Sequence, residues 1–203
     1  MKLLLASWGP WINLTLEKAF LNLLLKPTYK NKLIILSIDT TSDFHKEHLN
    51  TATLWYKKLG FHEKNIRILN LRTDNIPSFH DLDVLHIFGG NNFHYLQIIR
   101  EKGLEPKIRE FIDRNGVYVG SSAGSNIMCP EVDENLSNDA NDIGLANVSG
   151  FGYVDFYTIP HWGTYHGEKR TGQIKYSWES GKKVIPLTDQ QAILVKNNEF
   201  EII

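Results

Sequence analysis

Five short apolar runs, Leu3 to Ser7, Leu33 to Ile38, Ile66 to Leu71, Val84 to Phe88 and Val117 to Gly120, recur along the chain with longer amphipathic stretches between them. Runs of this length without polar alternation suit strands buried on both faces, and strands that alternate with helices build a parallel sheet covered on both sides. The intervening stretches read as helices. Asn13 caps one that runs to about Lys26, with Leu14, Phe20, Leu21, Leu24 and Leu25 inward; His45 to Leu59, Asn92 to Lys102 and Glu105 to Asn115 give three more, closed by Gly60, Gly103 and Gly116. The expected class is α/β, a three-layer sandwich around a mainly parallel sheet.

The texture changes after Met128. Cys129 to Asn147 is polar and acidic, carrying Asp133, Glu134, Asp139 and Asp142, and reads as a loop over the site or a local ornament. Phe151 to Thr158 resumes as a strand and Tyr165 to Ser180 as a helix. Val184 to Leu187, Ala192 to Lys196 and Glu199 to Ile203 follow as closing strands, the last two joined by a hairpin turn at Asn197-Asn198. With 203 residues, no linker and no repeat, residues 1–203 are expected to form one domain.

Lys and Arg number 22 against 23 acidic residues, a formal charge of −1 with no basic run, which argues against a nucleic-acid partner. No apolar stretch approaches the roughly 20 residues of a membrane span, and Met1-Lys2-Leu3-Leu4-Leu5 reads as a first strand and not as a secretory leader. The single cysteine, Cys129, excludes an internal disulfide and fits a reducing compartment, so a cytoplasmic place is expected.

Reactive groups in such sheets gather beyond the carboxyl ends of the strands. There the fifth run breaks into Gly120-Ser121-Ser122-Ala123-Gly124, a Gly-x-Ser-x-Gly turn between strand and helix. A serine on so tight a turn has its hydroxyl clear of the sheet, and the next backbone N–H faces a developing oxyanion. Ser122 is the candidate nucleophile; a small-residue turn that only joins strand to helix is the alternative. The strand near residue 158 ends in Pro160-His161, which makes His161 the candidate base; His166 competes but has polar flanks that suit a surface. Asp189, directly after an apolar run, is favoured as the carboxylate that orients the base. Asp139, in the acidic loop, is the alternative acid and would give the order Ser, Asp, His. Gly89 and Gly90 let a backbone N–H, that of Gly90, pair with the N–H of Ala123 as an oxyanion hole. Arg170 offers a two-pronged donor for a substrate carboxylate, against the alternative of a solvated helix face.

His45-x-x-His48 with Glu47 lacks the His-Glu-x-x-His arrangement and a third ligand, so no metal site is expected and these read as exposed helix residues. Cys129 reads as buried packing, and among the tryptophans Trp8 and Trp162 are candidates to line a cleft.

Taken together, Lys2-Leu3-Leu4-Leu5-Ala6-Ser7, Phe88-Gly89-Gly90-Asn91-Asn92-Phe93, Ser122-Ala123-Gly124-Ser125-Asn126, Pro160-His161 and Gly167-Glu168-Lys169-Arg170 give a chain that resembles peptidase E, the aspartyl dipeptidase family of serine peptidases, nearly end to end. The resemblance implies a flavodoxin-like fold similar to class I glutamine amidotransferases, with Ser122 in place of their cysteine. It implies hydrolysis of small peptides, dipeptides with an N-terminal aspartate, without cofactor or metal. Arg170 falls where the family's aspartate-binding arginine is expected, and Asn91 is taken with it as substrate-binding. The family commonly has glutamate where Asp189 stands, Asp139 matches an aspartate once proposed for the relay, and relatives with this core include a cyanophycin-cleaving peptidase. An esterase or acyltransferase with the same nucleophile and a catalytically silent binding protein remain the other readings. The expected state is a monomer or homodimer.

Overall fold

The apolar runs become strands whose two faces are both covered. In the computed structural model, which describes residues 1–164, 167–197 and 199–203, nine strands form: β1 (Lys2–Ala6), β2 (Leu33–Ser37), β3 (Ile66–Asn70), β4 (Val84–Ile87), β5 (Val117–Ser121), β6 (Tyr157–Ile159), β7 (Val184–Pro186), β8 (Ala192–Lys196) and β9 (Glu199–Ile202). Seven make one sheet in the order β3-β2-β4-β5-β1-β8-β9. From β3 to β1 the pairing is parallel, while β8 and β9 join antiparallel, with Ala6 opposite Ala192.

Six α-helices accompany them among the described residues: α1 (Leu14–Leu23), α2 (Asp43–Lys58), α3 (Asn92–Glu101), α4 (Glu105–Asp113), α5 (Ala123–Asn126) and α6 (Gly167–Ser180). Successive residues of each inner strand point to opposite faces. Leu4 and Ile35 therefore pack with Phe20, Leu49 and Trp55 of α1 and α2, while Leu5 and Leu36 pack with Phe93, Leu96 and Phe111 of α3 and α4. This is the expected three-layer α/β arrangement. Among the described residues no helix is long and apolar enough to cross a membrane.

Several local expectations are corrected. Asn13 does cap α1, accepting from the N–H groups of Thr15 and Leu16, but the inward residues are Leu16, Ala19, Phe20 and Leu23, while Leu14 and Leu25 are exposed. A stretch in which leucines occur on several sides does not by itself fix the buried stripe. After α4 the left-handed residue is Asn115 (φ 66°); Gly116 is needed because a Cβ there would overlap the Phe111 ring. Residues 151–156 are not strand. The N–H groups of Phe151, Gly152 and Tyr153 turn to the carbonyls of Ile127, Cys129 and Met128, capping the turn after α5, so no ladder can form until Tyr157. Asn197 takes a positive φ of 50°, as a turn residue does; Asn198, Tyr165 and His166 lie outside the described residues, and with them the other half of the expected hairpin turn, the first residues of the expected helix and the rival base.

β6 and β7 form a separate parallel pair, with Ile159 opposite Pro186. Their hydrogen bonding continues past the strands, Leu187 N–H to the Ile159 carbonyl (2.9 Å) and Trp162 N–H to the Leu187 carbonyl (2.8 Å). Parallel pairing sends the two segments that follow, Pro160-His161 and Thr188-Asp189, to the same end.

Candidate active site

Ser122 sits where β5 must turn into α5, at φ 50° and ψ −108°. A side chain in this region of backbone space is strained by about 1–3 kcal/mol, and the surroundings hold it. The Ser122 N–H bonds the Ala6 carbonyl at 3.0 Å, and the Ser122 carbonyl accepts from Ser125 and Asn126. Gly124 lets α5 approach β4, since a Cβ there would overlap the Ile87 carbonyl oxygen.

His161 Nε2 lies 2.9 Å from Ser122 Oγ, and its Nδ1 lies 2.6 Å from Asp189 Oδ1. A carboxylate only accepts, so Nδ1–H donates to Asp189 and Nε2 is left to accept the serine proton. Thr164 Oγ1 donates to the second Asp189 oxygen at 2.8 Å. His161 also has left-handed backbone, φ 60°. Its N–H is received by Ser7 Oγ at 2.8 Å, and Ser7 Oγ lies 3.2 Å from both the Leu187 carbonyl and Asp189 Oδ1. Ser7 is fully buried at the end of β1. It links base and acid, and sequence reasoning missed it: a serine closing an apolar run carries no local sign that two segments over 150 residues away converge on it.

Asp139 lines the same cavity, and its Oδ2 accepts the Asn92 N–H that opens α3 (2.9 Å). The structure thus brings Asp189, and not Asp139, onto His161. Gly90 (φ 153°) is confined by Ile38 and Tyr95, whose side chains a Cβ would meet at 2.9 and 3.2 Å. Among the described residues no protein group accepts the N–H of Gly90 or of Ala123.

Two candidates for substrate binding are spent elsewhere. Arg170 is 6% exposed; its guanidinium donates to the carbonyls of Pro160 (3.1 Å) and His161 (2.7 Å), to Gln173 Oε1 (2.9 Å) and to Asn138 Oδ1 (3.3 Å), above the Trp162 ring. Burial lowers its pKa, and Asp189 opposes that fall. It braces the backbone that presents His161 instead of facing the cavity. Asn91 caps α3, accepting from Phe93 and His94, and donates to the Ala140 carbonyl, so both ends of its amide are used. Sequence placed both residues near the site but could not tell which way they face.

The cavity over Ser122, of about 250 Å³, is walled by Trp8, Trp11 and Phe88, with Phe44, His45 and His48 from the first turns of α2 at its mouth. The two histidines are therefore site residues, not plain surface, and Trp11 takes the place expected of Trp162. Beneath the floor, Ser121 Oγ meets His86 Nε2 at 2.9 Å, and His86 Nδ1 meets the Tyr56 hydroxyl at 3.2 Å. Complete burial pushes the His86 pKa down to about 3, so the imidazole is neutral. Cys129 is buried against Thr158 with its thiol pushed up to about 11, as suits packing and not attack.

The sequence profile of Peptidase family S51 matches residues 3–203. The chain belongs to peptidase family S51. It is 28% identical over 146 residues to the uncharacterized peptidase Lin0382 of Listeria innocua, covering 70% of each chain. To the uncharacterized peptidase PM1590 of Pasteurella multocida it is 31% identical, covering 60% of this chain and 59% of that one. Peptidase E of Escherichia coli O1:K1 is 29% identical over 91 residues, 43% of this chain and 38% of the other. The matched stretches thus span from 38% to 70% of these relatives' lengths. Among solved structures, a putative peptidase E protein from Listeria monocytogenes EGD-e superposes over all of this chain and 97% of its own with a TM-score of 0.78 at 20% identity. A peptidase from an acI-B1 Actinobacterium gives 0.72 at 15%, over all of this chain and 86% of its own. These neighbours share the fold, the three-layer α/β sandwich around a mainly parallel sheet that the sequence implied.

Proposed function

We propose that this family S51 chain is a serine exopeptidase of dipeptides and other short peptides, with Ser122 as nucleophile, His161 as general base and acid, and Asp189 as the carboxylate that orients it. The observation that carries the reading is the continuous hydrogen-bonded line from Ser122 Oγ through His161 to Asp189, at 2.9 and 2.6 Å. Nε2 takes the serine proton as Oγ attacks the peptide carbonyl, and the imidazolium formed is stabilised by Asp189. The N–H groups of Gly90 and Ala123 hold the oxyanion. His161 then protonates the leaving amine, and water attacks the acyl-enzyme by the reverse route. Ser122→Ala should abolish dipeptide hydrolysis while leaving the melting temperature near wild type; retained turnover by the pure variant would end the assignment.

A further inference from the structure

We propose, on the serine-peptidase reading above, that the residue on the acyl side of the scissile bond carries an uncharged aromatic or large aliphatic side chain and not an acidic one. The wall next to the reacting atoms is built for it. Trp11 stacks on Phe88 with centroids 5.9 Å apart and planes 18° apart, and Phe88 runs directly into Gly89-Gly90, the loop that would hold the oxyanion. The acyl half of a peptide is the half that loop holds, so its side chain meets these rings. Trp8 stands edge-on to both His161 (5.4 Å) and His48 (5.0 Å), and Phe44, 60% exposed, closes the mouth against His48. A cavity of about 150 Å³ lined by apolar groups takes up benzene; at about 250 Å³ this one has room for an aromatic ring.

The charges on the same walls point the same way. An acidic substrate side chain would be desolvated against these rings, and burying a charge is costly unless it is paired. Among the described residues, the basic groups nearest to hand are committed: Arg170 to the carbonyls of Pro160 and His161, and His45 to Asp39 at 3.2 Å, while His48 Nδ1 is held by the Phe44 carbonyl at 2.6 Å. Stacking and apolar burial discriminate in favour of aromatic side chains without any charged partner.

The test is kcat/KM for Phe-Leu, Leu-Leu, Ala-Leu, Asp-Leu and Glu-Leu with wild type, Trp11→Ala and Phe44→Ser, together with labelling of Ser122 by a fluorophosphonate probe on the same samples. Phe-Leu should exceed Asp-Leu by about tenfold or more, and Trp11→Ala should lower the Phe-Leu to Ala-Leu ratio by a similar factor, as hydrophobic pocket contacts do. Phe44→Ser, at an exposed position, should lower that ratio too, so the test survives if Trp11→Ala does not fold. Asp-Leu cleaved as well as Phe-Leu, or a ratio unmoved in every folded variant, overturns the proposal and leaves the serine chemistry standing. A probe that labels Ser122 in a protein that cleaves none of the five peptides overturns it as well; no labelling at all removes the serine reading and this inference together.

Discussion

Ser7→Ala isolates what holds the base in place. The hydroxyl removed accepts the His161 N–H at 2.8 Å and shares its one proton between the Leu187 carbonyl and Asp189 Oδ1, both at 3.2 Å. Alanine leaves a largely buried N–H without its acceptor, which costs about 1–3 kcal/mol, or roughly 2–12 °C in Tm for a chain of this size. His161 is also held at φ 60°, a conformation that costs about 1–2 kcal/mol unaided, so its backbone is expected to relax once that N–H is released. A shift of 1 Å in a catalytic group costs as much as about 100-fold, so kcat should fall about 10- to 100-fold. KM should change little, because Ser7 does not line the cavity. Thermal melts and full Michaelis curves on Phe-Leu and Ala-Leu give both numbers. A variant that melts lower yet keeps wild-type kcat would refute the reasoning, since it would make Ser7 a core hydrogen bond with no part in presenting the base.

Asp189→Asn should keep the fold but lower kcat by about 10⁴, because an amide at 2.6 Å from Nδ1 can favour the wrong tautomer; hydrolysis within tenfold of wild type would argue for another acid. Arg170→Lys should cost about 2–4 kcal/mol by leaving buried acceptors unpaired, and should lower kcat on all dipeptides alike; a loss confined to Asp-Leu and Glu-Leu would restore a substrate-binding role. His86 has a folded pKa of about 3 against an ordinary 6.5, so the unfolded chain binds the extra proton between those values and stability is lost as pH falls through that window. At pH 5, one and a half units below 6.5, the loss is about 2 kcal/mol, and it should be absent from His86→Asn when urea melts at pH 7.5 and pH 5 are compared; parallel pH dependence in the two proteins would refute it.

The strands, the helices and the convergence of Ser122, His161 and Asp189 could be read from the sequence because each is marked locally, by apolar runs, by Asn13 as a cap, and by a place just beyond a strand end. What could not be read depends on facing. Leu14 and Leu23 look alike on paper, yet one is exposed and one buried, because the sheet decides which stripe of α1 it meets. Residues 151–156 are apolar as strands are, but their N–H groups cap carbonyls after α5. His45 and His48 read as surface because only the docking of α2 over the strand ends turns its first turns to the cavity. Arg170 was placed near the site by resemblance, and its hydrogen bonds, which no pattern encodes, take it out of the cavity, whereas Asn91 takes the helix-capping role that an asparagine shortly before Phe93 offers.

The order in which the site's parts occur along the chain bears on when it can act. β1 and β5 supply the turn that presents Ser122, and Ala6 anchors it, so the parts that place the serine all lie before residue 127. The imidazole and the carboxylate come later. They meet only when β6 has paired with β7, and Asp189 reaches Ser7 only as β8 settles antiparallel beside β1. On the proposed mechanism, until that last pairing the serine would have no partner to activate it. The antiparallel strand would then act as a timing device, since the serine would be armed only once β8 is in place and an unfinished copy would not cleave peptides around it.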